Sequence, residues 1–326
     1  MNPDSLDLKF GYSCNNNCIH CVIAGQKKEL VENNKDVDRS KQEIKEIVKK
    51  ASERGIDNVT FTGGEVTIRN DFFELLDFVK GLGLSVGLQT NGRKFSEKEF
   101  AKKTLEIAPE MSLTIAIHHS NSKIHDKITR VEGSGDETKK GIKNLLSLGC
   151  KNISFKVVLS KLNYRNQREI VKMANEFGVE RVDFAYPHGE GNAWKNKERV
   201  LIPYSKIKDN IKKAIKEGNS KEIDTSYEAV PYCFLEGYEK HVAEIKYLKD
   251  WIKGKTEELM QLNQPKQDWQ KNRLKIKAKA RKCKECKYFK ICEGVWEEYI
   301  SIYGAEELKP VEGKKISTWE EVKKML

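Results

Sequence analysis

The chain lacks the features that would place it in or across a membrane. No apolar run among its 326 residues reaches the roughly 18 residues that a membrane-spanning helix needs. The N-terminal stretch, MNPDSLDLKF, has neither the basic nor the apolar part of a secretory signal peptide. The sequence therefore predicts a cytoplasmic protein with no membrane partner.

Eight cysteines could suggest disulfides, but their distribution argues against a disulfide framework. Seven of the eight cysteines fall into two groups that are spaced like metal ligands. In a cytosolic chain of this size such groups favour metal binding over disulfides. The eighth, Cys150, belongs to neither group, and we expect it to be an inert buried thiol.

The first cysteine group is Cys14, Cys18 and Cys21, with C-x3-C-x2-C spacing directly after a strand-like run. Three thiolates on one short loop can hold three irons of a [4Fe–4S] cluster. The fourth iron then has no protein ligand and stays open, as a catalytic metal site requires. The alternatives are a zinc knuckle and a ferredoxin-like cluster, although both normally use four protein ligands.

A second motif narrows these alternatives. A short β-type run ends at Gly63, Gly64 and Glu65. Paired glycines let backbone come close to a ligand, and a neighbouring carboxylate suits an ammonium group. With both motifs present, the chain resembles the radical S-adenosylmethionine (SAM) enzymes. The resemblance implies that the cysteine loop holds the catalytic cluster and that Gly-Gly-Glu meets the amino group of SAM. The alternative for the second motif is an ordinary strand-to-loop turn.

Strand-like and helix-like segments alternate from residue 5 to about 186. Six such units predict a parallel α/β sheet with right-handed crossovers. Six units are too few for a closed eight-stranded barrel, and the resemblance implies a partial (β/α)6 barrel. Chemistry then gathers at the C-terminal ends of the strands, where both motifs lie. The predicted strands are Leu6–Tyr12, Asn58–Thr62, Leu84–Thr90, Met111–Ile117, Asn152–Leu159 and Arg181–Tyr186.

Helix starts are predicted from their capping residues. Ser40 with Glu43 three residues later reads as a capping box before an amphipathic stretch. Asp71 is predicted to cap the following helix.

Further site residues are implied by the resemblance at other strand ends. Asn91 after strand three corresponds to a residue that lines the SAM pocket. Arg130 lies in a His-Asp-x-x-Arg-like stretch whose arginine can approach the SAM carboxylate, and Asn163 matches a common asparagine after strand five. A tight turn at Asn91 and a solvated Arg130 are the alternatives.

The chain departs from the family pattern at the end of strand four, which reads Ala-Ile-His-His where many relatives have Ser-x-Asp. We therefore expect His118 and His119 to serve the substrate, with hydrogen-bonded structural histidines as the alternative. His188 and Trp194, in the glycine-containing loop after strand six, are also candidate substrate contacts.

The second cysteine group lies near the C-terminus. It has C-x2-C-x5-C spacing at Cys283, Cys286 and Cys292, and Cys233 supplies a plausible fourth ligand. Four thiolates make a closed site for structural zinc or for an iron–sulfur cluster. The resemblance favours a second [4Fe–4S] cluster, held by a small cysteine-rich α+β extension of the shortened SPASM type called twitch.

These observations predict two domains. Residues 1–205 form the partial barrel, and residues 206–326 form the extension, with a Lys-rich helical insert at about 236–282. The formal net charge of +11 includes nine Lys or Arg from Lys271 to Lys287. We interpret most of this charge as solvated helix surface. An acidic peptide, nucleotide or RNA is the alternative partner.

The predicted function is reductive cleavage of SAM to a 5′-deoxyadenosyl radical that abstracts hydrogen from substrate. A peptide or protein is the expected substrate; the alternative is a small-molecule dehydrogenase or cofactor-biosynthesis enzyme. We expect a monomer that takes electrons from an external flavodoxin- or ferredoxin-type donor and does not bind nucleic acid. The hypothesis from a different class is a zinc-knuckle RNA-binding protein.

Overall fold

The six predicted strands all form and lie in one sheet. The computed structural model describes residues 4–252, 257–262, 264 and 267–325. The strands are β1 Ser5–Lys9, β2 Asn58–Thr62, β3 Ser85–Thr90, β4 Ser112–Ala116, β5 Ile153–Val158, β6 Arg181–Ala185, β7 Asp224–Glu228, β8 Glu257–Met260, β9 Gln267–Asp268, β10 Lys277–Ala278 and β11 Val295–Trp296.

Strand order follows the chain closely. The main sheet runs β7-β6-β5-β4-β3-β2-β1-β8-β9, and every pair is parallel except β8 with β9. The strands β10 and β11 form a separate antiparallel pair in the C-terminal region. Sequential parallel strands without closure give the partial barrel that was predicted.

Helices fill the connections between the parallel strands. They are α1 Ala24–Glu32, α2 Lys41–Glu53, α3 Phe72–Gly81, α4 Lys98–Ile107, α5 Ser122–Thr129, α6 Ser134–Ser147, α7 Gln167–Phe177, α8 Gly191–Lys195, α9 Lys197–Val200, α10 Tyr204–Ser220, α11 Glu244–Ile252, α12 Trp269–Lys275, α13 Glu297–Tyr303 and α14 Trp319–Lys323. None of the helices in the described chain is long and apolar enough to cross a membrane.

The predicted helix starts are correct in position, and their capping contacts differ from the prediction. Ser40 caps α2 by accepting a hydrogen bond from the Glu43 N–H. The Glu43 carboxylate pairs with Arg39 instead of completing the box. Asp71 precedes α3, but its carboxylate makes no capping bond because Arg69 holds it at 2.8 Å.

The two faces of the sheet differ in character. Leu6 and Leu8 of β1 are fully buried and pack in the main core. The residues that alternate with them, Asp7 and Lys9, line a cavity on the other face. The same alternation places Lys156 of β5 on the cavity side. One face therefore packs against helices and the other forms the polar lumen of the partial barrel.

Three strands of the sheet, β7, β8 and β9, were not predicted, and all three come from beyond residue 205. β7 extends the sheet next to β6, and β8 pairs with the free edge of β1. The predicted helical insert at about 236–282 is thus only partly helical, because residues 257–260 form a strand. The open edge of β1 explains this outcome, since its unpaired backbone groups need partners.

The insert is fixed to the C-terminal region by buried charges. The side chains of Arg273 and Lys277 are fully buried, and each lies within 3.0 Å of both Glu244 and Glu293. Two cations of the Lys-rich stretch are therefore internal, while the prediction was that most of this charge lies on solvated helix surface. The ion pairs between these cations and carboxylates offset the desolvation cost of burying the charges.

Candidate functional site

The three cysteines of the first group line one cavity at the C-terminal ends of the strands. This cluster-loop cavity has a volume of about 790 Å³. Cys14, Cys18 and Cys21 face it together with Gly63 and Gly64. The two sequence motifs, separated by about 40 residues, thus meet at one site.

The paired glycines hold the cysteine loop by backbone contact. The Gly64 N–H donates to the Gly11 carbonyl at 2.7 Å, and the Glu65 N–H donates to the Ser13 carbonyl at 2.8 Å. A Cβ at Gly63 would lie 2.2 Å from the Gly11 oxygen, and one at Gly64 would lie 2.0 Å from the Ser13 oxygen. Only glycine permits this approach. The sequence predicted close backbone contact with a ligand, and the contact found is with the loop itself.

Glu65 is an internal anchor for the neighbouring strand ends. Its side chain is buried and accepts hydrogen bonds from the Thr67 hydroxyl at 2.6 Å, the Thr90 hydroxyl at 2.7 Å and the Asn91 N–H at 2.6 Å. Burial nevertheless raises the pKa of its carboxyl group. Glu65 lines the cavity, and its contact with the SAM amino group stays a prediction.

Strand three supports the same loop from another side. The Asn91 side chain donates to the Asn15 side chain at 2.7 Å. The Arg93 guanidinium donates to the Asn15 carbonyl and to the Asn16 side chain, and it is held by Glu137 at 2.6 Å. Asn91, predicted from its Asn-Gly motif, therefore lines the cavity and also fixes the loop.

The cysteine thiols suit a metal cluster chemically. Burial raises the pKa of Cys14 to about 11 and also raises the pKa values of Cys18 and Cys21. Without a cation, the chain keeps these groups protonated. A bound metal reverses the preference, because a coordinating thiol is deprotonated. Three convergent thiols on one cavity wall are a fitting donor set for a cluster.

A group of neutral histidines lies against the cysteine loop. The His118 ring is 4.5 Å from the His20 ring and 5.5 Å from the His125 ring, measured between centroids. Burial lowers the pKa of all three, to about 4 for His20 and His125. His118 and His20 line the cluster-loop cavity, and ring nitrogens of both lie within 4.8 Å of the Cys18 sulfur.

Two other predicted site residues make their contacts within the protein. The Arg130 guanidinium is exposed and donates to the Asn196 side chain. The buried Asn163 side chain donates to the carbonyls of His118 and Val158, each at 2.9 Å, so it joins strand ends. Their contacts with SAM stay predictions.

His119 and Trp194, both predicted to contact substrate, are likewise engaged elsewhere. The His119 Nδ1 accepts a hydrogen bond from the Asn121 N–H at 2.9 Å. Trp194 is 41% exposed, and the Lys197 ammonium lies 4.4 Å from its ring centroid. These positions favour structural and surface roles.

The second cysteine group also comes together. Two of its sulfurs accept backbone hydrogen bonds at 3.4 Å, Cys292 from the Gly294 N–H and Cys286 from the Val311 N–H. Cys150, by contrast, is buried in the main core, as predicted. The cysteines that share one small apolar cavity are Cys233, Cys283, Cys286 and Cys292.

A second large cavity, the lumen cavity, continues from the cluster-loop cavity into the barrel. Its volume is about 630 Å³, and the two cavities share Ile23, Gln89, Thr114 and Lys156 as wall residues. His188 lines it, with its Nε2 3.2 Å from a Glu298 carboxylate oxygen, and its contact with substrate stays a prediction.

Sequence reasoning missed several residues that build the site. Neither Arg93, which follows the Asn-Gly turn, nor Asn192, in the loop after strand six, was predicted to support the cysteine loop. The Asn192 side chain donates to the Cys18 carbonyl at 3.0 Å. The sequence could have indicated Lys156 and Asp7, because each is a charged residue between two buried apolar residues of its strand.

Comparison with known proteins agrees with this geometry. The Radical SAM superfamily matches residues 8–177, just over half of the chain. "Mycofactocin maturase MftC" of Mycolicibacterium smegmatis is 27% identical over 190 residues, which are 58% of this chain and 46% of that protein. "Probable GTP 3',8-cyclase" of Sulfurisphaera tokodaii is 28% identical over 215 residues, 66% of this chain and 64% of that protein. The chain thus spans about half the length of the MftC relative.

The fold extends the likeness beyond the matched region. SuiB of Streptococcus suis, solved with S-adenosylmethionine bound, has a TM-score of 0.61 at 17% identity and covers 93% of this chain and 75% of its own. SuiB solved with its precursor peptide SuiA has a TM-score of 0.59 at 18% identity, covering 97% of this chain and 75% of its own. The chain therefore shares the mixed α/β fold of these structures.

Family membership brings with it an iron–sulfur cluster and SAM, and it sets aside the zinc-knuckle RNA-binding alternative. With its three-cysteine loop, its Gly-Gly-Glu turn and its partial barrel, the chain belongs to the Radical SAM superfamily and is an enzyme of the iron–sulfur type.

Proposed function

We propose that the cluster-loop cavity is the catalytic site and that Cys14, Cys18 and Cys21 hold its [4Fe–4S] cluster. When bound, the cluster and SAM together supply a 5′-deoxyadenosyl radical that abstracts hydrogen from a substrate. The observation that carries this proposal is the convergence of three half-buried cysteines with the Gly63–Glu65 turn on one wall. The protein's own part is to hold the loop, orient the substrate C–H bond and exclude water.

The test is replacement of all three loop cysteines by Ala. The triple variant should form no 5′-deoxyadenosine from SAM under anaerobic reduction, while Cys150→Ala, which alters a thiol in the core, should keep the activity. Continued 5′-deoxyadenosine formation by the triple variant would disprove the assignment of the catalytic cluster.

We further propose that the second cysteine group holds an auxiliary [4Fe–4S] cluster. In a tetrahedral zinc site with Zn–S bonds of about 2.3 Å, neighbouring sulfurs lie about 3.8 Å apart. All four cysteines fall within the described chain, and no three of their sulfurs lie within 4.8 Å of one another. Thiolates that bind separate irons of a cluster need this wider spacing, and an iron–sulfur cluster is accordingly the better fit.

Metal analysis tests this second cluster. Reconstituted protein should carry about eight irons per chain, and Cys233→Ala should lower the number towards four if Cys233 completes a closed site. About eight irons in that variant would contradict ligation by Cys233. About four irons and one zinc in the unaltered protein would contradict the auxiliary cluster itself.

For the substrate we propose a peptide. Support comes from the similarity to MftC, whose name describes it as a maturase, and from the fold shared with SuiB, which was solved with a precursor peptide. A cofactor-biosynthesis step is the second candidate because GTP 3′,8-cyclases match at similar identity. The continuous cluster-loop and lumen cavities leave room for a side chain beside SAM.

Extract fractions separate these two candidates. A cell extract is fractionated, and each fraction is assayed for stimulation of 5′-deoxyadenosine formation. Digestion of the stimulating fraction with a broad-specificity protease should remove the stimulation if the substrate is a peptide. Stimulation that survives digestion and passes a small-molecule filter would instead support the cofactor-biosynthesis candidate.

A further inference from the structure

The residues that line the lumen cavity are mainly acidic, whereas the chain as a whole is positively charged. The protein carries a formal net charge of +11, yet five carboxylates and only two lysines face this cavity. The carboxylates are Asp7, Asp183, Glu190, Glu228 and Glu257, and the lysines are Lys9 and Lys156. The excess of three acidic over basic side chains lies in a pocket that shares walls with the catalytic cavity. A pocket of this sign attracts cations.

Two of the five carboxylates have internal partners. Glu228 is 2.7 Å from the Lys156 ammonium, and this pairing lowers its pKa to about 2 although burial opposes the shift. Asp183 accepts hydrogen bonds from the Arg181 guanidinium and from the Ser226 hydroxyl. These groups are already satisfied within the protein.

Asp7 and Glu257 are not satisfied in this way. The Asp7 Oδ1 atom is completely buried and receives no hydrogen bond, and the Lys9 ammonium is 3.6 Å away. Arg54 pairs with the neighbouring Glu258, whereas within the part of the chain that the structure describes the Glu257 side chain has neither a hydrogen bond nor an ion pair. Burial and the nearby Asp7 raise the pKa of Glu257 to about 7. Two partly buried carboxylates thus share one imperfectly placed lysine, an arrangement that is costly without a further cation.

The fold aims both carboxylates into the lumen. Glu257 of β8 lies in register with Ser5 of β1, and Asp7 is the next residue of β1 on that same face. The wall they form belongs to a cavity that continues, through Gln89, Thr114 and Lys156, to the catalytic cysteines.

We propose that the lumen cavity binds a cationic group of the substrate, an ammonium or guanidinium, between the carboxylates of Asp7 and Glu257. This inference rests on the proposed peptide substrate and specifies it: the peptide presents a lysine, an arginine or an amino terminus to the lumen. A metal ion is the less favoured occupant. In the described chain, neither carboxylate belongs to a group of three ligand atoms lying within 4.8 Å of one another.

Binding of small model compounds tests the proposal directly. N-acetyl-lysine N-methylamide and its neutral counterpart N-acetyl-norleucine N-methylamide are titrated by calorimetry into anaerobic, reconstituted protein with SAM present. The lysine compound should bind at least about tenfold more tightly, since hydrogen bonds to charged groups contribute an effect of this size. The preference should disappear in Asp7→Asn and Glu257→Gln. It should persist in Glu99→Gln, which removes an exposed carboxylate on α4.

Charge reversal distinguishes recognition from a structural role. Glu257→Lys should bind N-acetyl-glutamate N-methylamide in preference to the lysine compound, provided that thermal unfolding shows a folded protein. Should Glu257→Lys fail to fold, the two carboxamide variants alone decide the outcome. Equal affinities of the lysine and norleucine compounds, no detectable binding of either, or an unchanged preference in both carboxamide variants would overturn the proposal. So would binding of Mn²⁺ that requires Asp7 and Glu257 and excludes the lysine compound.

The same samples separate this inference from the proposed function. If SAM cleavage proceeds but charge preference is absent, the cationic site is wrong and the catalytic assignment stands. If neither loop-cluster iron nor 5′-deoxyadenosine formation is found in the unaltered protein, the proposed function itself fails.

Discussion

Gly64→Ala should displace the cysteine loop and thereby empty the catalytic cluster site. The new Cβ would lie 2.0 Å from the Ser13 carbonyl oxygen, and the next nearest atoms are also backbone atoms of Tyr12 and Ser13. Backbone cannot rotate aside as the end of a side chain can. The loop must therefore move, and Cys14 is the residue that follows Ser13.

The size of the effect follows from steric overlap and from two hydrogen bonds that the displaced loop can no longer make. Overpacking costs about 1–3 kcal/mol. The two hydrogen bonds that join residues 64 and 65 to the loop contribute about 0.5–1.5 kcal/mol each. A total of about 3 kcal/mol would shift the population of the native loop position by about a hundredfold. Most molecules would then present the three thiols in the wrong place.

Iron content and SAM affinity measure this displacement. Reconstituted Gly64→Ala should fall from about eight irons per chain towards four, because the auxiliary site lies elsewhere. SAM binding by calorimetry should be lost together with the iron. The matched control is Gly81→Ala, at the end of α3, where a Cβ would meet nothing within 4 Å.

A folded Gly64→Ala protein with its full iron content would refute this reasoning. If that variant kept its iron but bound SAM weakly, the glycine would be needed for close approach to the ligand, as the sequence alone suggested. The two interpretations therefore differ in iron content and not only in SAM affinity.

Three further variants test other parts of the structure. Arg93→Ala should reduce the free energy that holds the cysteine loop in place by about 1.5–3 kcal/mol and should lower SAM affinity, because the guanidinium donates hydrogen bonds to two loop residues. An unchanged SAM affinity by calorimetry would contradict this role. Arg273→Met leaves Glu244 and Glu293 with Lys277 as their remaining cation in this network, so urea denaturation should show a loss of about 3–5 kcal/mol in the free energy of unfolding, and a loss below about 1 kcal/mol would contradict the role of the network. The pKa of Glu257 is raised from 4.5 to about 7, so its ionisation destabilises the folded state by about 3 kcal/mol as pH rises through this window. Glu257→Gln should consequently unfold at a higher temperature than the unaltered protein at about pH 8 and at nearly the same temperature at about pH 5; an equal difference at both would argue against this charge effect.

The barrel could be predicted because its strands carry an unambiguous local signal. In β5, Phe155 and Val157 alternate with polar neighbours, and the six strands are separated by stretches with helical periodicity. Strand β8 carries the opposite signal, since Glu-Glu-Leu-Met is a helix-favouring sequence. It becomes a strand because the edge of β1 offers hydrogen-bond partners for its backbone. Local propensity does not report such a long-range pairing.

The candidate site was predictable where a motif carries the chemistry. Cys14, Cys18 and Cys21 converge on one cavity wall, as do the four cysteines of the second group on another. The contacts of Arg130 and Asn163 with SAM were taken from the resemblance alone and stay predictions, and the structure shows only their contacts with other parts of the protein. A motif fixes residue types, whereas side-chain direction depends on which neighbours accept the hydrogen bonds.

The lumen shows which part of a site the sequence can indicate and which part it cannot. Asp7, lying between the buried Leu6 and Leu8, signals a charged group on the inner face of a strand. Its companion Glu257 is 250 residues away in a segment whose sequence favours a helix. Only the pairing of β8 with β1 brings the two carboxylates to the same wall, and that pairing is also what raises the pKa of Glu257. The proposed cation site therefore depends on a strand outside the six-unit pattern, and the family motifs alone do not indicate it.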